Sequence, residues 1–406
     1  MNNFPKHWQV KKLGEICEVK MGQSPEGKFV SDSLSNLQEA LEFHQGKIYF
    51  SDKFILKSKF YTSEIRKIAD ENSILLCVRA PVGIVNLTDR KVAIGRGLCA
   101  LKFKKDNNMF LYYFLINSKA YFETNSTGTT FQAINLNIVK KLEIPLPPLD
   151  EQNLIVKKIE RCFEKIDFAI SNFKKSKELI EIYKQSVLSH AFNGNLTNSN
   201  LNSWQVKKLG EICEIVSGGT PNTGNKSFWD DEFNASSIFW ATLVDTKSKY
   251  IYGTKRKITQ LGLQSSSARI LPVNSVLFSS RATIGNVCVA KVELCTNQGF
   301  KNFICQADEL HYEFLYYFLN FAKTDIENLA KGTTYKEISK TNIENIKIPL
   351  PNLQTQAQIV SQIEKCFKAA DNALNLIEQN LKKAEILKQS ILSKAFNGRL
   401  VKDKNE

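Results

Sequence analysis

Arg79 and Arg281 occupy matched settings in this chain. Ser73-Ile74-Leu75-Leu76-Cys77-Val78-Arg79-Ala80-Pro81-Val82-Gly83 lines up with Ser275-Val276-Leu277-Phe278-Ser279-Ser280-Arg281-Ala282-Thr283-Ile284-Gly285, an apolar run and then a turn carrying one arginine. A guanidinium on a turn suits phosphate contact or the paired donation of a bidentate guanine contact. The competing reading is an arginine that braces its own turn. Thr129 and Thr130 follow Gly128, and Thr333 and Thr334 follow Gly332. There the glycine lets backbone approach a phosphate, to which hydroxyls and amides both donate; a plain turn before a strand is the alternative. Other matched positions differ. Arg96 stands opposite Gln298, and Gln132 opposite Lys336. Groups present in both copies cannot tell one target from another, so unlike polar side chains at matched positions are the candidates for base-edge readout. Phe228, Trp229 and Trp240 belong to the second copy alone and read as core packing.

Other chemistries find little support. There is no G-x-x-x-x-G-K-[ST] loop for nucleotide phosphates, and Gly95-Arg96-Gly97 lacks the third glycine and the helix of a dinucleotide site. Glu151, Glu160, Glu164 and Glu178 read as solvated helix faces rather than a catalytic pair. His7, His44, His190 and His311 are too dispersed for a zinc site. The nine cysteines form no C-x-x-C pair and read as reduced core thiols of a cytosolic protein. The longest apolar run, near residues 74–85, is broken by Arg79 and Pro81, so the expectation is a soluble, cytoplasmic chain without membrane spans. A net charge of +14 over 406 residues and a pI near 9.2 point to a polyanionic partner. The reading is a binding protein with no catalytic, metal or cofactor site of its own.

The elements that position these residues come in duplicate. Residues 8–18 return at 204–214, Leu111-Tyr112-Tyr113-Phe114-Leu115 returns as Leu315-Tyr316-Tyr317-Phe318-Leu319, and 22–68 faces a divergent 218–258. The segment 144–194 returns at 348–398 with a constant offset of 348 − 144 = 204. Within it Ile159, Ile166, Phe173, Ile180 and Val187 recur every seventh residue, with Cys162, Ala169 and Tyr183 alongside. The second copy gives Ile363, Ala370, Ile377, Ala384 and Ile391, with Cys366, Ala373 and Leu387. That is a heptad seam. Pro147 and Pro148 end a strand, Asp150 is placed to cap the first turn, and Gly194 and Gly398 supply stops. Each helix would run roughly 60 Å at about 1.5 Å per residue. The alanines of the second seam suit packing on the isoleucines of the first. The fold expected is α+β: two globular domains in tandem pseudo-twofold repeat, joined by two long helices in an antiparallel coiled coil. Its segments are a first domain 1–149, helix 150–193, polar linker 194–203, a second domain 204–353, helix 354–397 and tail 398–406.

In this order and in duplicate, the motifs resemble the specificity subunit of type I restriction-modification systems. The resemblance rests on residues 8–18 with Gly22-Gln23-Ser24-Pro25, on Arg281-Ala282-Thr283-Ile284-Gly285 and Asn297-Gln298-Gly299-Phe300, on the Gly-Thr-Thr-aromatic turns, and on the Leu-Pro-x-Leu-x-x-Gln openings of both helices. It adds Gln23, Ser24, Thr220 and Asn297 to the DNA-binding candidates. The resemblance implies that each recognition domain reads half of a bipartite, asymmetric site in double-stranded DNA. The helices would set the nonspecific spacer and dock two modification (methyltransferase) subunits that bind S-adenosylmethionine; two restriction subunits would bring ATP and magnesium. Gln354-Thr355-Gln356 departs from Asp150-Glu151-Gln152 and leaves the second helix without the first's acidic cap. The rivals are a stand-alone DNA methyltransferase or nuclease with its own reader, and a coiled-coil adaptor for protein.

Overall fold

A computed structural model describes residues 4–33, 39–128, 132–197, 203–230, 232, 234–330 and 336–401. The chain divides into two compact units, one made of residues 1–174 and 378–406, the other of 175–377. Each unit thus takes one end of each long helix.

In the first unit, Gln9–Lys12 pairs antiparallel with Glu143–Leu146, then a single helical turn, Leu13–Ile16, leads into Cys17–Met21. The repeated segment 8–18 therefore holds a strand, a helical turn and the start of a second strand. A four-stranded sheet follows, with Cys17–Met21, Leu98–Phe103, Ile74–Cys77 and Val85–Leu87 as successive neighbours. Ile74–Cys77 is buried on both faces, as its unbroken apolar run requires. Ile74 and Leu76 join the cluster of Trp8, Leu13, Phe110 and Phe122, while Leu75 and Cys77 join Ile55, Val92, Ile94 and Leu98. The latter cluster leads to a second sheet ordered Val30–Ser31, Tyr61–Thr62, Leu41–His44, Val92–Ile94, Ile68–Ala69. The helix Asn108–Asn117 is capped by the Asn107 side chain, which accepts from Met109 N (2.8 Å) and Phe110 N (3.2 Å).

The second unit repeats the plan. Gln205–Lys208 pairs with Lys347–Leu350, and Val276–Ser279 sits between Phe300–Cys305 and Val287–Ala290. Its second sheet is ordered Trp229–Asp230, Lys257–Ile258, Ile238–Ala241, Leu294–Thr296. The apolar segment with the repeated tyrosines is the helix Tyr312–Phe321.

The two long helices are Leu149–Phe192 and Leu353–Phe396, 44 residues each. Asp150 does not cap. The helix already includes Leu149, so Asp150 lies in the first turn, where its charge faces the positive end of the helix dipole. The second helix gains a cap from elsewhere: Asn352 accepts from Thr355 N at 2.9 Å. Gly194 and Gly398 end the helices at φ of 72° and 70°, a conformation glycine adopts without a Cβ penalty.

Within the first unit Asp167 is paired with Lys388, and within the second Lys184 is paired with Asp371 at 2.6 Å. Position rises along one helix as it falls along the other, so the pair is antiparallel. Ile159, Ile166, Val187, Ile363, Ala370, Ile377, Ala384 and Ile391 are buried along the seam. Tyr183 and Leu387 are not; they are 46% and 50% exposed. The neighbouring Lys184 and Lys388 take the inward slot instead. Each holds its ammonium over a phenyl ring, Phe367 or Phe163, 5.6 or 5.3 Å from the ring centre, and pairs it to an aspartate. Among the described residues no helix is long and apolar enough to cross a membrane.

Candidate nucleic-acid interface

In the first unit, backbone hydrogen bonds gather four loops. Gly22 N donates to Leu98 O (2.8 Å) and Gln23 N to Ile94 O (3.0 Å), tying the 22–25 loop to the 94–98 turn. Val78 N donates to Gly97 O (2.9 Å), Ala80 N to Gln132 O (3.0 Å) and Ile134 N to Val78 O (2.9 Å), which adds the arginine turn and the segment after the Gly-Thr-Thr motif. A Cβ on Gly22 would overlap the carbonyl oxygen of Gly95, so only glycine permits this approach. Gln23, Ser24, Arg79, Arg96 and Gln132 all stand on this frame.

The second unit builds the same frame bond for bond. Gly218 N donates to Phe300 O (3.1 Å), Gly219 N to Thr296 O (2.9 Å), Ser280 N to Gly299 O (2.8 Å), Ala282 N to Lys336 O (3.3 Å) and Ile338 N to Ser280 O (2.9 Å). It carries Thr220, Arg281, Asn297, Gln298 and Lys336. The Thr220 hydroxyl donates to the Gln298 side-chain oxygen, and Asn297 Oδ1 accepts from Gly299 N at 3.0 Å, which fixes the turn. Thr129, Thr130, Thr333 and Thr334 lie outside the described residues.

The two arginines have unlike surroundings. Arg79 is exposed opposite Ala133, and neither it nor the exposed Arg96 has an ion-pair partner among the described residues. Arg281 faces Glu337, with Nε 3.9 Å from a carboxylate oxygen, while the nearly buried Lys301 approaches the other oxygen at 3.8 Å. Bracing of its own turn thus describes Arg281 better than Arg79.

Sequence reasoning missed Gln45. Its side-chain oxygen accepts from Ser24 Oγ (2.9 Å), Ser24 Oγ in turn accepts from Arg96 N (3.2 Å), and a Cβ on Gly95 or Gly97 would strike Gln45. It lies in the divergent segment, where residue numbering pairs it with nothing in the second half; the paired glycines around Arg96 were the available sign. The strand end that carries it is anchored by a buried network. Glu42 accepts from Arg90 (2.7 and 2.8 Å), Ser58 N (2.6 Å) and His44 Nε2 (2.9 Å). Burial raises the Glu42 carboxyl, but these bonds outweigh it and hold it at about 2. Burial also pushes the His44 imidazole below its ordinary value, against the pull of Glu42.

Two carboxylates expected on solvated helix faces find partners across the first domain. Glu151 accepts from His7 Nε2 (2.8 Å) and Trp8 Nε1 (3.0 Å), and Glu160 pairs with Lys53 at 3.0 Å. Glu364 does the same for Lys249 at 2.5 Å in the second unit. Gln152 is buried in the helix's first turn; its amide donates to Pro147 O (2.9 Å) and Asp106 (3.0 Å) and accepts from Asn107 N (3.1 Å). Gln356 repeats the clamp on Pro351 O, Glu309 O and His311 N, each at 2.8 Å. No group of three or more metal-ligating side chains occurs among the described residues.

One loop frame built twice, carrying unlike side chains and fixed to long paired helices, defines a tandem recognition protein. The chain belongs to the type I restriction modification DNA specificity domain family, whose model matches residues 5–180 and 202–385. It is 24% identical over 416 aligned residues to the type I restriction enzyme MjaVIII specificity subunit of Methanocaldococcus jannaschii, covering 98% of this chain and 93% of that one. The EcoKI specificity subunit of Escherichia coli K12 is 21% identical, covering 98% and 90%. A 35% match to the putative MjaX specificity subunit of M. jannaschii spans only 48% of this chain and 45% of that one. The fold is shared with the HsdS subunit of Thermoanaerobacter tengcongensis, TM-score 0.62 over 98% of each chain at 21% identity. It is also shared with a chain from a type I R-M system, TM-score 0.79 over 98% of this chain and 99% of that one, again at 21% identity.

Proposed function

We propose that this chain is the sequence-reading subunit of a type I restriction-modification complex and leaves the chemistry to its partners. Each loop frame reads one half of a bipartite, asymmetric site in double-stranded DNA. The observation that carries this reading is the pairing of one backbone frame with different side chains: Arg96 against Gln298, Gln132 against Lys336, and Arg79, with no acidic partner among the described residues, against Arg281 beside Glu337. Common amides and glycines hold position, and unlike side chains select bases. The +14 net charge supplies the phosphate attraction.

Leu149–Phe192 and Leu353–Phe396 serve as spacer helices, and the nonspecific gap follows their length. Their half-exposed or exposed apolar residues, Phe168, Ile386 and Leu387 in one unit and Leu179, Ile182 and Tyr183 in the other, suit docking of two modification subunits. S-adenosylmethionine belongs on those subunits, and ATP with magnesium on two restriction subunits; this chain needs neither. DNA from cells with and without the protein, sequenced for modified adenine, is expected to show one bipartite motif that disappears with the protein. Matched insertions of seven residues at Ser176 and Asn380 are expected to widen the gap and leave both half-sites unchanged. An unchanged gap would remove the helices from the role of spacer.

A further inference from the structure

The divergent segments conceal one more matched position. In the first unit Phe43 N donates to Phe60 O (2.9 Å), Val30 lies opposite Thr62, and Ser63 N donates to Phe29 O (3.3 Å). In the second Trp240 N donates to Arg256 O (3.1 Å), Trp229 lies opposite Ile258, and Thr259 N donates to Phe228 O (3.0 Å). The three agreements align Phe43 with Trp240, Val30 with Trp229 and Phe60 with Arg256, although residue spacing along the chain differs.

Arg256 is exposed, and its guanidinium lies 3.7 Å from the ring centre of Trp229 and 5.4 Å from that of Trp240. The two indoles meet edge to face at 4.8 Å. Each is itself fixed: Trp229 Nε1 donates to Asn222 O (3.2 Å) and Trp240 Nε1 to Gly219 O (2.9 Å), one residue before Thr220. Arg256 therefore has a rigid platform joined to the reading loop. It has no carboxylate within ion-pair distance among the described residues, unlike Arg90 and Arg269, which are paired. Stacking uses the face of the guanidinium and leaves its N–H edge free to donate. Phe60 at the same ladder position is 44% exposed, an apolar surface of the kind that meets a thymine methyl.

We infer that Arg256 is a base-reading side chain of the second unit, donating its paired N–H groups to O6 and N7 of a guanine in the major groove. Phe60 occupies the corresponding reading position of the first unit. The inference rests on the DNA-reading function proposed above. A brace for Trp229 would need the planar stack but not the free edge, and a phosphate contact would need only the charge.

The test is modified-adenine sequencing in cells that hold the cognate modification subunit and the full chain as Arg256→Met, Arg256→Lys or Phe60→Arg. Arg256→Met keeps a long apolar stem on Trp229 and removes the donors. It is expected to cut discrimination at one G·C pair of one half-site by about 5- to 150-fold, the range for one bidentate contact, with the other half-site unchanged. Arg256→Lys keeps the charge and is expected to relax the same base pair, whereas Phe60→Arg shifts preference in the other half-site only. Should Arg256→Met abolish modification altogether, the other two variants decide. Unaltered base preference in Arg256→Lys and Phe60→Arg, with rates lowered uniformly or not at all, overturns the inference in favour of a phosphate contact or a brace. If the unmodified protein itself yields no bipartite motif, the functional reading fails first and this inference falls with it.

Discussion

Phe396, at the end of the second long helix, is 3% exposed and closes the core of the first unit. Its ring meets Phe110 edge-on at 5.1 Å and Phe114 at 5.3 Å. Truncating a buried phenylalanine to alanine costs about 3–5 kcal/mol through lost burial and the cavity left behind. The two edge-to-face contacts lie on helix Asn108–Asn117, which cannot close the gap without leaving the strands beneath it. A loss of about 4 kcal/mol is a large part of the roughly 5–15 kcal/mol that stabilises a domain. Phe396→Ala should therefore loosen the first unit while the second, closed by Phe192 against Phe314, Phe318 and Phe321, keeps its stability. Because the chain has two units, one global unfolding curve would blur the effect. Hydrogen exchange resolved by segment separates them: protection should fall about a hundredfold or more in Asn108–Asn117 and Ile74–Cys77, and stay unchanged in Tyr312–Phe321. Phe192→Ala should give the reverse pattern. Equal loss in both units, or none in either, would refute the claim that each helix end completes one particular core.

Arg90→Ala should cost about 3 kcal/mol, the low end for breaking a buried pair, since Glu42 is left nearly buried while Arg90 itself is a third exposed. The same network sets an acid limit on the first unit. Glu42 titrates near 2 when folded and near 4.5 when not, so its contribution is full above pH 4.5 and is lost as pH falls toward 2. His44 is lowered on folding, so the unfolded chain takes its proton first and stability already declines below about 6.5. Segment-resolved exchange at pH 7 and pH 5 should show the first unit weakening more than the second; equal behaviour would discount the network. Gln152→Leu leaves Asn107 N and Pro147 O without partners and should cost roughly 2–6 kcal/mol, from about 1–3 for each buried group. Unchanged segment-resolved exchange protection in the first unit would show that the clamp is dispensable.

The helices were legible because their information is local and redundant: a seven-residue period kept over five successive positions, twice, with prolines before and glycines after. Asp150 was misplaced for the reason that helix starts are settled by one or two dihedrals. Tyr183 and Leu387 were misplaced because a lysine stem can fill an inward slot, and hydrophobicity alone assigns that slot to its apolar neighbour. Glu151 and Glu160 look like any solvated glutamate in sequence; only folding brings His7, Trp8 and Lys53 to them.

The reading frame was legible in part for a deeper reason. A position that appears twice with the same residue betrays a shared backbone requirement, as Gly22 and Gly218 do. A position that appears twice with different residues betrays a site only if the two can be aligned, and alignment fails where insertions shift the count. Phe60 and Arg256 are separated by 196, whereas Phe43 and Trp240 are separated by 197 and Val30 and Trp229 by 199, so no single offset reveals all three. Their equivalence exists in hydrogen-bond register, not in numbering. A protein that must recognise two unlike half-sites with one architecture will place its selectivity in such segments, since the constant scaffold holds position while the variable one is free to change length. Under the inference drawn for Arg256 and Phe60, part of the target choice rests on residues that sequence comparison of the two halves is least able to pair.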